Sequence, residues 1–99
     1  MKFQLVKTCM ACPEQYDVLR GERQVGYLRL RSGYFRCDYP DVDGKTIYEH
    51  YFEDKLKGMF DDEDERRKYL TEALTALKDT ILSEMVNGNV NEIEYEIQE

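Results

Sequence analysis

The sequence predicts an α+β fold: an antiparallel β-meander packed on one long C-terminal amphipathic helix, followed by a final strand. Three observations carry this. Residues 2–52 fall into short alternating runs separated by Gly, Pro and Asp turns. Leu70, Leu74, Leu77, Ile81 and Met85 recur at helical spacing and draw one apolar stripe. Ile93, Tyr95 and Ile97 then alternate with Glu92, Glu94 and Glu96. Ninety-nine residues suit a single domain, 1–99, with one core.

Lys2 to Lys7 alternates as a first strand, and Cys9, Cys12 and Pro13 mark the loop after it. Tyr16 to Arg20 reads as a second strand, Gly21-Glu22-Arg23 as a hairpin loop, and Gln24 to Arg31 as a third strand. Ser32-Gly33 stands where a two-residue hairpin turn belongs, with Gly supplying positive φ. That turn fixes a register pairing Arg31 with Tyr34, Leu30 with Phe35, Arg29 with Arg36, Leu28 with Cys37 and Tyr27 with Asp38. Leu28, Leu30, Phe35 and Cys37 then share one face, and Tyr27, Arg29, Arg31, Tyr34 and Arg36 the other. After a turn at Pro40 to Gly44, Thr46 to Phe52 forms the next strand, with Ile47 and Tyr51 expected on one side.

Glu53 to Phe60 is a loop, and Asp61 or Asp62 caps the helix; Asp62 with Glu65 fits a capping box. Tyr69, Ala73 and Ala76 widen the stripe, and Asn87-Gly88 is the expected stop. The last strand is Glu92 to Ile97, with one buried face.

Composition removes several function classes. No apolar run is long enough to span a bilayer, and Met1 to Lys7 lacks a signal-peptide core, so a cytoplasmic protein without membrane contact is expected. An odd cysteine count agrees with a reducing compartment. Residues 1–60 carry ten Lys/Arg against nine Asp/Glu, and residues 61–99 carry four against twelve, giving +1 and −8 and the total of −7. That sign opposes nucleic-acid binding, which depends on cationic contacts with phosphate. It leaves room for a local basic patch, or for an acidic surface offered to a basic partner.

Three clusters bear on chemistry. Cys9 and Cys12 form a CxxC pair, and Cys37 with His50, the single histidine, would complete a Cys₃His zinc tetrahedron. Against that, the hairpin register seats Cys37 among Leu28, Leu30 and Phe35, where free Cys serves as a small hydrophobe. A thioredoxin-like role does not fit, because Pro13 leads into another strand rather than a helix. The second cluster is Arg29 opposite Arg36, with Arg31 beside them and Tyr27 and Tyr34 flanking. Directly opposed like charges destabilise a sheet, so an acid (Asp17, Asp38 or Glu49), a bound anion or a partner should compensate them. The bland alternative is a solvated face with Arg stems packed over Tyr rings. The third is Asp61 to Glu65, whose acids complement the helix dipole and could pair as Asp62–Arg66, Glu63–Arg67 and Asp64–Lys68. It lacks the alternating ligands and central Gly of a calcium loop.

No Ser-His-acid set, phosphate loop or GxGxxG occurs. The element order is similar to half of a GNAT acetyltransferase. That family's Gly-rich pyrophosphate loop would fall at Glu53 to Asp64, where this chain has one Gly and a run of acids, so the similarity stops at topology. The stretches Cys12 to Val18, Val25 to Arg31 and Gly33 to Phe35 resemble short uncharacterised proteins encoded by phages and prophages of Gram-positive bacteria. That resemblance implies an accessory role in a mobile element.

The expectation is therefore a non-enzymatic accessory protein binding a protein partner, with Tyr27, Arg29, Arg31, Tyr34 and Arg36 as the binding face. A zinc-binding regulatory module on Cys9, Cys12, Cys37 and His50 is the first alternative. An acidic nucleic-acid mimic that inhibits a basic target is the second.

Overall fold

The computed structural model describes residues 1–10, 13–84 and 93–98. The strands are β1 (Lys2–Lys7), β2 (Glu14–Arg20), β3 (Arg23–Arg31), β4 (Tyr34–Tyr39), β5 (Lys45–Tyr51) and β6 (Glu94–Gln98), with α1 (Glu63–Ser83) between the last two. They form one sheet in the order β5-β4-β3-β2-β1-β6. The first five strands are the predicted meander. The sixth joins the far edge beside β1 and runs parallel to it, Phe3 opposite Tyr95 and Leu5 opposite Ile97. A parallel partner needs a crossover, and the stretch containing α1 provides it. An alternating pattern carries no information about which edge a strand joins.

The predicted β3–β4 register is the observed one, from Tyr27–Asp38 to Arg31–Tyr34. Helix and sheet meet through Phe3, Leu5, Val18, Leu28, Leu30, Phe35 and Cys37 below and Leu70, Ala73, Leu74, Leu77 and Ile81 above, in one core cluster. Gly26 belongs to this contact: a Cβ built there would stand 3.0 Å from Leu77 Cδ2, so the missing side chain lets the helix approach the strand.

Two irregularities shift the alternation. Between β2 and β3 the register steps from Val18–Gly26 to Leu19–Gln24, which makes Val25 an extra residue, and Val25 is buried in the core. Between β4 and β5 it steps from Cys37–Tyr48 to Asp38–Thr46, leaving Ile47 as the extra residue packed against the core. This bulge corrects the expectation that Ile47 and Tyr51 share a side. Tyr51 lies on the face away from the helix, while Tyr48, His50 and Phe52 pack toward Phe35, Phe60 and Tyr69.

Several boundaries also move. β2 begins at Glu14, and Arg20 pairs with Arg23, so the β2–β3 turn is the two residues Gly21-Glu22, with Gly21 at φ +66°. The helix starts as expected: Asp62 is the N-cap and accepts from the Glu65 amide at 2.8 Å. Glu65 reaches back to the Asp61 amide instead of that of Asp62. The helix ends at Ser83 with Glu84 as C-cap, earlier than expected, and Met85, Asn87 and Gly88 lie outside the described residues.

Candidate binding face

With α1 on one side of the sheet, no described helix covers the other. The register lays out its side chains in rows across the strands. One row runs Val6, Asp17, Tyr27, Asp38, Thr46; the next Gln15, Arg29, Arg36, Glu49; the last Arg31, Tyr34, Tyr51. All five predicted face residues are therefore on this open face, as the β3–β4 register required.

They are not equivalent. Tyr27 is only 6% exposed, because it occupies the middle of the sheet between Asp17 and Asp38, within reach of long diagonal neighbours. Its ring is part of the support and not of the surface. Arg36 is committed as well. Its Nε lies 3.2 Å from Asp38 Oδ2 and its Nη2 3.9 Å from Asp43 Oδ1. The Nε contact lacks hydrogen-bond alignment, so it acts as a charge contact. Asp38 is buried and accepts from Thr46 Oγ1 at 2.8 Å and from the Asp43 amide at 3.2 Å. Of the acids expected to offset the arginines, Asp38 does so for Arg36. Glu49 instead accepts a 2.6 Å hydrogen bond from the Tyr34 hydroxyl. Burial and that bond hold the Tyr34 hydroxyl protonated well above its ordinary range. Asp17 is occupied by Gln24, whose Nε2 also donates to Asp41. Partial burial and the charge of Asp41 raise its carboxyl above the usual value, against the hydrogen bond from Gln24.

Arg29 and Arg31 remain. Among the described residues neither forms an ion pair. Beside Arg31, Tyr34 and Tyr51 stack with centroids 4.6 Å apart and planes 19° from parallel, and Tyr51 is 62% exposed. Lys55 leans toward the Tyr51 ring at 5.9 Å. This end of the open face thus combines an exposed aromatic platform with cations that no described carboxylate neutralises.

The loop after β5 is tied to this end by backbone hydrogen bonds. The Gly33 amide donates to Lys57 O at 2.8 Å, the Phe52 amide to Gly33 O at 2.7 Å, and the Glu14 amide to Gly58 O at 2.7 Å. Lys57 Nζ, itself buried, bridges Asp61 and Glu65 at 2.8 Å each. Below the loop, Glu14 is 6% exposed and accepts four bonds: Tyr16 Oη at 2.6 Å, Arg66 Nε at 2.8 Å, Arg66 Nη2 at 3.2 Å and the Phe60 amide at 3.2 Å. Burial alone would raise the Glu14 carboxyl. The bonds from Arg66, Tyr16 and Phe60 outweigh it, and the carboxyl titrates below its ordinary value. Sequence reasoning missed this network by starting β2 too late. The available signal was Glu14, Tyr16 and Val18 at period two.

The acidic run is largely consumed locally, though not by the expected partners. Arg66 turns inward to Glu14 and also pairs with Glu63, while Asp61 and Glu65 hold Lys57. None of Asp62–Arg66, Glu63–Arg67 and Asp64–Lys68 forms.

The three described zinc candidates, Cys9, Cys37 and His50, are not gathered. Cys37 is fully buried in the core, and burial with the nearby Asp38 pushes its thiol up to about 12. Cys9 lies beyond the end of β1, three strand spacings from β4, or ~14 Å, whereas thiolates on one zinc sit within ~4 Å. His50 packs against Phe52 and Tyr69, with centroids at 4.6 and 4.7 Å. Cys12 lies outside the described residues. Among the described residues no three His, Cys, Asp or Glu side chains converge on a metal position.

A cavity of about 470 Å³ opens at the opposite end of the sheet, lined by Arg20, Arg23, Val25, Tyr39, Ile81 and Glu84. The Tyr39 hydroxyl donates to Glu84, a bond that, with burial, raises the Tyr39 hydroxyl and leaves it protonated at neutral pH. No described helix is long and apolar enough to cross a membrane. Compared with protein-family models, curated proteins and solved structures, the chain matches none.

Proposed function

We propose that this chain is a non-enzymatic accessory protein that captures a protein partner on the open face of its sheet. The contact centres on the end where Arg29, Arg31, Tyr34 and Tyr51 meet. One observation carries the reading: an exposed aromatic stack beside two arginines that have no carboxylate partner among the described residues, on a sheet face that no described helix covers. Aromatic rings and Arg are the side chains that most often dominate protein–protein contacts. The net charge of −7 favours a protein over a nucleic acid as the occupant. An accessory role in a phage or prophage accords with the resemblance of residues 12–18, 25–31 and 33–35.

The test compares two surfaces of the immobilised protein. Arg29→Ser with Arg31→Ser should lose capture of its cellular partner. Glu72→Ser, on the exposed side of the helix, should keep it, and both proteins should give wild-type circular dichroism. Equal capture by both would remove the reading.

A further inference from the structure

Resting on the sheet-face reading, the geometry points to the feature the partner presents: we propose that it is an extended acidic segment, with carboxylates at alternate positions, lying along β3. Arg29 and Arg31 are two residues apart on one strand and project from the same face, so their stems repeat at ~6.8 Å. An extended peptide repeats its same-side residues at that same interval. An acid-x-acid segment therefore sets one carboxylate over each guanidinium, where bidentate pairing is available.

A second feature points to an anion at this position. Arg29 stands directly across from Arg36, and the acids nearby are already engaged: Asp38 by Arg36, Glu49 by Tyr34, Asp17 by Gln24. Asp38 and Asp43 offset Arg36, so Arg29 is the member of the pair left without a counter-charge, and a carboxylate from the segment supplies it.

The probe is a fluorescein-labelled synthetic peptide in which Glu alternates with Val and Tyr. Its controls are a peptide of the same composition with its Glu residues grouped in adjacent pairs and a single-stranded oligonucleotide of equal charge. The alternating peptide should bind more tightly than either control. Arg29→Gln and Arg31→Gln should each weaken it about tenfold, the scale of one charge-assisted hydrogen bond. No binding of the alternating peptide, equal binding of the two peptides, tighter binding of the oligonucleotide, or unchanged peptide binding by both arginine variants would each overturn the inference. If the peptide fails while the arginine variants still lose capture of the cellular partner, the extended-acid inference falls and the sheet-face reading stands.

Discussion

Removing the Glu14 carboxylate should destabilise the protein more than an average core substitution. In Glu14→Leu, Arg66 loses both bonds to Glu14 and keeps only the exposed Glu63, and the Tyr16 hydroxyl and Phe60 amide lose their acceptor. Breaking one side of a buried ion pair costs about 3–5 kcal/mol. At about 4–8 °C per kcal/mol for a domain of this size, the lower bound already moves the thermal midpoint by about 12 °C. Adding Arg66→Met should recover much of the loss, because the uncompensated buried charge is then gone. The cycle is read from urea unfolding followed by far-UV circular dichroism, as no Trp is present. The pH dependence follows from the same bonds. The folded carboxyl titrates below 4.5, so its contribution is fully present above the unfolded value and disappears as pH falls through the folded one. Wild type should therefore lose stability over that acid range more steeply than the double variant. A loss below about 1 kcal/mol in Glu14→Leu, the level of an ordinary surface change, would refute the reasoning.

Other positions give independent checks. Gly26→Ala should cost about 1–3 kcal/mol by crowding Leu77, and combined with Leu77→Ala the total loss should fall short of the sum, measured by the same unfolding assay. Gly33→Ala, at φ +76° with its new Cβ 2.5 Å from Asp54 O, should destabilise by at least about 1–2 kcal/mol and make Lys55 and Lys57 more accessible to trypsin. The Cys37 thiol should resist Ellman's reagent at about pH 8.5, where an ordinary thiol is half ionised, and react once urea unfolds the chain.

The parts of this fold that sequence reasoning reached were those governed by local rules. The Ser32-Gly33 turn dictated the β3–β4 register, and with it the positions of Arg29, Arg31, Tyr34 and Arg36 on one face. Asp62 was legible as a cap because capping chemistry is contained within one helical turn. The rest depended on contacts distant in sequence. Nothing near Ile47 announces a bulge, yet one displaced residue there moved Tyr48, His50 and Phe52 to the core side. Arg66 looked like a surface partner for Asp62 until Glu14, fifty-two residues away, drew it inward. Tyr27 shares the open face as expected, but its burial comes from neighbours on β2 and β4 that its own strand does not reveal. Within the candidate face, sequence located the cations; only the structure separated those already paired from those left open.

Hydroxyl-radical footprinting of the tyrosines, with and without the captured partner, tests the central claim most directly. Tyr51, exposed on the open face, should lose most of its labelling when the partner binds, with Tyr34 following it. Tyr48 and Tyr69, on the helix side of the sheet, should label equally in both states. Protection of Tyr48 and Tyr69 with Tyr51 unchanged would contradict the account and move the binding surface to the other side of the molecule.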